Sequence, residues 1–268
     1  MKLNFTSLAT LLIVIILFST ACNKNNNVIK PVAAVPQPLT TDMVSSHIAL
    51  NLAQSLSGTY GGIDIKSGIN KPAFATEGSS TQISRFHALS NSLNSLCGFF
   101  VDSTLSYDAN LGDTIKSHAD GTLKFYFNCD NGISTGYTAN DIFTTTGKAT
   151  KYSFVYAVNQ NYQTTSLNTG NSLLSIDGNL KSDIDLTYDN TAVKQTVTHD
   201  YYVLDKLIID LTKGGDITSG SAIFTSTGSN NYGTWSFNGT ITFLGNHKAD
   251  ILINGKTYHA NLTTGVIS

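Results

Sequence analysis

The chain has 268 residues, with 16 Lys and Arg against 18 Asp and Glu, a formal net charge of −2. Only 13% of its residues are charged and no stripe of Lys or Arg stands out, so binding that rests on neutralising phosphates is excluded and no nucleic-acid partner is expected. Thr, Ser, Asn and Gly take the place of charge, a composition suited to an exported β protein with hydroxyl side chains facing water.

Lys2 precedes an apolar run, and Leu11 to Phe18 contains no polar side chain. The run is shorter than the about 20 apolar residues that span a bilayer. A charged start, a short apolar core and the small residues Ser19, Thr20 and Ala21 describe an export signal. Cys22 follows at once. "LFSTAC" resembles the lipobox of a bacterial lipoprotein, and its loose form, with Ser19 at the usual leucine position, is similar to those of Bacteroidota. The resemblance implies that residues 1–21 are removed and that Cys22 carries several acyl chains, enough for stable anchoring. Residues 22–39 are polar, then rich in Pro, Ala and Val ("KNNNVIKPVAAVPQP"), without helical or strand period, and read as a tether. The implied address is the cell envelope, as an outer-membrane lipoprotein. Asn23, Lys24 and Asn25 stand where surface-exposed lipoproteins of that group often carry acids, which leaves both the periplasmic and the exterior face open.

Residues 40–268 read as one β-rich domain with a helical N-terminal part. "TTDMVSSHIALNLAQSLSG" spaces Val44, Ile48, Leu52 and Leu56 by four, with Thr40 or Thr41 to cap the start and Gly58 the end. "QISRFHALSNSLNSLCG" puts Ile83, Phe86, Leu89, Leu93 and Leu96 on one helical face. The stretch between them is loop with room for a short strand.

From Phe99 onward the period is two. Leu123, Phe125 and Phe127 alternate, as do Tyr152, Phe154 and Tyr156, then Ile184, Leu186 and Tyr188, then Trp235, Phe237, Ile241 and Phe243. Gly and Asn-Gly punctuate the pattern about every ten residues and are expected at turns, as in an antiparallel meander. Asn254-Gly255 is the favoured pair for a two-residue hairpin turn. It predicts Ile251 opposite Tyr258 and Ala249 opposite Ala260 inside, with Asp250 opposite His259 outside. With Cys22 assigned to lipid, Cys97 and Cys129 remain as a pair in an oxidising compartment and are expected to form a disulfide. Pairing of Phe99–Tyr107 with Thr122–Cys129 brings them together at the open end of a hairpin whose loop is Asp108–Gly121. "LSIDGNLKS" and "WSFNGTITF" hint at a repeated strand unit. The expected class is mainly β, an antiparallel meander forming a sandwich or open barrel with one or two short N-terminal helices.

The order of a lipobox, a short helical region, "LCG", "LKFYFNCDNG", "SIDG", "FNGTITF" and "INGKTYHANLTTG" resembles uncharacterised β-rich lipoproteins of Bacteroidota over most of the chain. That resemblance bears on address and fold and implies no activity.

Chemistry-bearing patterns are sparse. The six histidines, His47, His87, His118, His199, His247 and His259, show no i,i+2 or i,i+4 pair and no H-E-x-x-H. His47 and His87 read as polar flanks of helices. Asp183 and Asp185 share a strand face, roughly 7 Å apart, where calcium could sit, though a solvated face is the plainer reading. "NCDNG" lacks the spaced acids of a calcium loop and reads as a turn. No G-x-S-x-G, phosphate loop or dinucleotide fingerprint is present. No metal or cofactor is expected, and no catalytic residue is assigned. Trp235, Tyr152, Tyr156 and Tyr162 are the candidates for a row of exposed, ligand-facing aromatics. "DST" and "DTI" resemble the O-glycosylation sequon of exported Bacteroidota proteins and nominate Ser103 and Thr114. The expected function is a non-enzymatic binding or structural module of the envelope, whose ligand is a protein, a glycan or a lipid. A carrier of a lipid or other apolar ligand in a curled-sheet cavity is the alternative, and a hydrolase the third reading.

Overall fold

The computed structural model describes residues 38–60, 62–69, 73–74, 97–108, 115–189 and 192–268. The expected signal peptide, Cys22 and nearly all of the expected tether lie outside them, as do the second expected helix with His87, and Thr114.

Helix α1 (Thr41–Leu56) begins where Thr40 Oγ1 accepts the amide of Met43, and ends at Ser57, with Gly58 just beyond it at φ +68°. Both caps match the sequence signals. A small pair follows, β1 (Ile63–Asp64) with β2 (Ala73–Phe74), linked through a one-turn 3-10 helix at Ile65–Ser67. Ten further strands build one sheet. They are β3 (Phe100–Asp108), β4 (Lys116–Asp130), β5 (Ile133–Lys148), β6 (Tyr152–Ser166), β7 (Leu173–Tyr188), β8 (Gln195–Asp210), β9 (Asp216–Asn230), β10 (Gly233–Gly245), β11 (Lys248–Ile253) and β12 (Lys256–Asn261). Each pairs antiparallel with its neighbour in sequence, so the sheet runs β3 to β12 without a crossover. The two ends do not pair with each other, and the sheet is an open meander.

Alternation sets the two faces. Leu123, Phe125 and Phe127 are buried while Lys124 and Tyr126 are exposed, and Tyr156, Val158, Gln160 and Tyr162 are buried while Val155, Asn159 and Asn161 are not. The buried side chains of all ten strands form one cluster with Val44, Ile48, Leu52 and Leu56 of α1 and with Tyr60 to Ile69. The sheet therefore curls around its own N-terminal helix.

Curling needs kinks, and here the strand glycines supply them. Gly178 in β7 lies opposite Tyr162, where a Cβ would come within 2.5 Å of the Tyr162 Cα, and its φ is +146°. Gly228 in β9 lies opposite Trp235, whose ring would sit 2.2 Å from a Cβ. Gly121–Phe143, Gly147–Phe154 and Gly239–Phe224 repeat the arrangement across other strand pairs. At Gly121, Gly147, Gly228 and Gly239 an aromatic ring lies across the glycine and restores the packing the missing side chain would have given. The expectation that glycines mark turns thus holds at Asn131-Gly132 and Asn254-Gly255, where both residues have positive φ, but not for these five. The two glycines of the suspected repeat, Gly178 and Gly239, both serve as such kinks.

The 254–255 turn fixes the expected register: Ile251 faces Tyr258, Ala249 faces Ala260 and Asp250 faces His259. "NCDNG" is the turn between β4 and β5. The first hairpin differs. Phe100 pairs with Tyr126 and Asp108 with His118, so β4 begins at Lys116 and Asp108–Gly121 is not a loop. The inward residues of its first half are Ser117, Ala119 and Gly121, too small to show an apolar alternation.

Cys97 and Cys129 form a disulfide with their Cα atoms 5.9 Å apart, at the open end of this hairpin. The bond closes a loop with a sequence separation of 32 residues. Replacing both cysteines by serine is expected to lower the unfolding free energy by about 3–4 kcal/mol on the chain-entropy model. Urea unfolding of the oxidised and Cys97→Ser/Cys129→Ser proteins checks this, and equal midpoints would refute it.

Candidate functional site

The concave side of the sheet holds an unusual number of polar side chains. Asn51, on the buried face of α1, organises the first group. Its Nδ2 lies 2.8 Å from Ser182 Oγ, 2.9 Å from Asp200 Oδ2 and 3.1 Å from the Tyr202 hydroxyl. Its Oδ1 accepts from the Tyr156 hydroxyl, which also meets Ser55 Oγ at 3.2 Å. Tyr202 donates to the carbonyl of Ile48 at 3.0 Å. His47 Nε2, one turn before Asn51, is 3.1 Å from Asp200 Oδ2. Ser182 and Asp200 are cross-strand partners on β7 and β8, and Asp200 pairs in turn with Ser226 on β9.

This row ends in atoms without a hydrogen-bond partner in the protein. Asp200 Oδ1, Ser226 Oγ and Trp235 Nε1 are buried and unpaired. Trp235 enters from β10, one inward position along from Ser226, with its ring over Gly228. The corner therefore presents a carboxylate oxygen that accepts, a hydroxyl that does either, and an indole N–H that donates. His47 stands at its edge with its side chain 24% exposed.

A second polar group lies further round the curl, on β5 and β6. Tyr137, Asp141, Gln160, Tyr162 and Thr164 are all buried. Burial pushes the Tyr137 phenol up to about 12 and raises the Tyr162 phenol too. Tyr60 stacks on Tyr156 with ring centroids 3.6 Å apart and closes the space between the two groups.

Of the candidate ligand-facing aromatics, Trp235, Tyr156 and Tyr162 are buried and Tyr152 is half-buried beside Tyr188. They do not form an exposed row, because their phase in the alternation is the concave one. Ser103 is buried on the inward face of β3, so the folded chain does not offer its hydroxyl for glycosylation. Asp183 accepts from His199 at 2.6 Å and pairs with Lys181, and both oxygens of Asp185 accept from Gln195 at 2.9 Å. Both acids of the supposed calcium pair are thus engaged by neighbours on the convex face. His259 bonds Asp250 at 2.6 Å, as expected from the turn. His47 is no mere flank of a helix, since it reaches the sheet at Asp200. Among the described residues no three His, Cys, Asp or Glu side chains converge on a point where a metal ion could be held.

These observations define a class by shape: an open, curled ten-stranded meander with a helix seated in its concavity over a polar lining. No family model matches the chain, and no curated protein or solved structure matches it either.

Asn51 bonds four side chains on three strands at once, so its truncation leaves several buried groups short of a partner. Asn51→Ala is expected to cost about 2–4 kcal/mol of stability. Urea unfolding checks this through a lower midpoint at unchanged m-value. A loss below about 0.5 kcal/mol would show that the network contributes little.

Proposed function

We propose that this chain is a membrane-anchored lipoprotein of the cell envelope, held through lipid on Cys22, and that it works as a non-enzymatic binding module. The observation that carries the binding part is the corner formed by Asp200, Ser226 and Trp235. A purely structural sheet gains nothing from three buried polar atoms without partners, since each costs about 1–3 kcal/mol. A small polar ligand that gives a donor to Asp200 and an acceptor to Trp235 would satisfy all three. Entry beside His47, next to the start of α1, suits a ligand taken up at the margin of the helix.

The polar lining also weighs against the alternative of an apolar cargo, because a lipid tail would leave the same atoms unsatisfied and α1 already fills the concavity. For a hydrolase, His47 would need a nucleophile at its free nitrogen; among the described residues its bonding partner is Asp200.

Intact mass spectrometry of protein purified from membranes tests both parts. Under denaturing conditions the expected mass is that of the chain from Cys22 plus acyl groups, increased on reduction by the two hydrogens of the opened Cys97–Cys129 bond. Under native conditions an additional small polar compound is expected, absent after denaturation and lost in Trp235→Phe and Asp200→Asn. An unacylated polypeptide would remove the anchor. A native mass equal to the acylated chain alone would remove the binding site.

A further inference from the structure

Asp141 and Gln160 face each other across β5 and β6 and are both completely buried. Gln160 commits its Nε2 to the carbonyl of Ser55, in the last turn of α1, at 3.0 Å. Its Oε1 is thereby turned to the other side, where it has no partner. Neither oxygen of the Asp141 carboxyl makes a hydrogen bond of normal geometry either, although the Ile63 amide is close enough to act on it. Gly62 lies against both groups. A Cβ there would be 3.0 Å from Asp141 Oδ2 and 3.5 Å from Gln160 Oε1, so the two oxygens converge on one piece of backbone.

An ionised Asp141 offers only acceptors, as does Gln160 Oε1. Acceptors facing acceptors in a site without water is the costly arrangement. A protonated carboxyl resolves it, since its O–H supplies the donor that Gln160 Oε1 lacks, and its second oxygen is left for the Ile63 amide.

We propose that Asp141 is a neutral acid in the folded protein, donating its proton to Gln160 Oε1, and that this acid–amide pair is a proton-dependent latch fastening Gly62–Ile69 and the end of α1 to the sheet. Three parts of the fold meet there. Gln160 holds α1 through Ser55. Asp141 holds β1 through Ile63. Thr145, two positions inward along β5 from Phe143, adds a bond from its hydroxyl to the Tyr60 carbonyl at 3.3 Å.

The surroundings agree. Burial pushes the Asp141 pKa well above the usual carboxylate range, with the Ile63 amide pulling the other way, and no cation among the described residues offsets the burial. From β5 the neighbouring titratable group is Tyr137, from β6 Tyr156 and Tyr162, from the covering segment Tyr60 and Asp64. Burial raises all four phenols and the Asp64 carboxyl. The phenols stay neutral through the range in which Asp141 titrates. Asp64 is the other carboxyl of the covering segment; its Oδ1 already accepts from the Lys66 amide at 3.0 Å, and the Lys66 ammonium acts on it as well.

The folded state keeps a proton that the unfolded chain releases. The contribution of the latch is therefore complete below the unfolded carboxyl pKa and is lost as pH rises through the folded one. Over that interval local opening becomes about tenfold easier per pH unit.

The experiment is thermal unfolding of the purified full chain from pH 5 to 9, with hydrogen exchange of the Gly62–Ile69 region read in parallel. The wild type is expected to lose Tm and exchange faster, after correction for intrinsic exchange, as pH rises. Asp141→Asn keeps an N–H donor for Gln160 and cannot ionise, so its profile is expected to lose most of the fall seen in the wild type. Asp64, whose carboxyl burial also raises, adds a smaller fall of the same sign, so Asp64→Asn is expected to keep most of the wild-type slope. Asp141→Asn with the full wild-type slope, or Asp64→Asn losing more of the slope than Asp141→Asn, would overturn the proposal, as would pH-independent opening of Gly62–Ile69 in the wild type. Gln160→Glu gives an independent reading, since a second carboxyl opposite Asp141 should steepen the loss with pH; an unchanged slope counts against the pair.

Discussion

A ten-stranded antiparallel sheet that does not close on itself has one face too many. Both faces alternate out of the same backbone, and the inner one must be covered for the chain to have a core. Among the described residues the cover is one α-helix of 16 residues, joined by Tyr60, Ile63, Ile65 and Ile69. Everything else follows from seating α1. The strands must curl far enough to meet it, the helix must offer apolar contact along its length, and every polar group trapped between them needs a partner. Val44, Ile48, Leu52 and Leu56 meet the second demand. Asn51, between Ile48 and Leu52 in the chain, carries much of the third, with its carboxamide reaching Ser182, Asp200, Tyr202 and Tyr156.

The first demand is met by the glycine–aromatic pairs. A flat sheet would hold its strands too far from a helix 10–12 Å across. Placing glycine opposite a large ring lets one strand approach and bend where a Cβ would collide with it. The same device recurs on β4, β5, β7, β9 and β10, so curvature is spread over the sheet. A sharper bend falls at β7–β9, where the register shifts beside Gly178, Lys206 has φ +48° and Gly220 has φ +104°. Beyond it Leu174, Ile176, Leu207, Ile209 and Ile217 belong to the same core cluster as Ile63, Ile65 and Ile69, with Leu211 against Gly68 and Lys66 against Gly215.

How much of this could be read from the sequence depends on which signal each feature leaves. Large apolar residues at period two announced the strands from Leu123 onward, and Asn254-Gly255 announced a register that holds residue for residue. The start of β4 left no such signal, because Ser117, Ala119 and Gly121 face inward without apolar bulk. The polar lining leaves a faint signal for a related reason. Counting only apolar positions passes over Asp141, although it shares its phase with Tyr137, Ala139 and Phe143. Gln160 likewise shares the phase of Tyr156, Val158 and Tyr162, and Asp200 that of Tyr202 and Leu204. A charged or amide side chain standing in apolar phase was the available signal. Asp183 and Asp185, chosen for their spacing, stand in the opposite phase and face outward. Their neighbours His199 and Gln195 are cross-strand contacts from β8, set by a pairing that the sequence alone did not specify.

Burying polar groups on this scale lowers stability relative to an apolar core of the same shape. The polar set here is not scattered. One group lies under the C-terminal half of α1 on β5 and β6, the other under His47 and Asn51 on β7 to β10, and Tyr60 stacked on Tyr156 stands between them. The second group reaches half-exposed His47, while the first is sealed by Gly62 and Ile63. An opening to solvent suits exchange of a ligand; a sealed pair suits a contact whose strength is set by a proton. On the two proposals the concave side is divided accordingly, with ligand chemistry assigned to the margin of the helix and the fastening of the helix to its far end. Since α1 joins both, a change at Asp141 loosens the element that also positions Asn51 and His47 against Asp200.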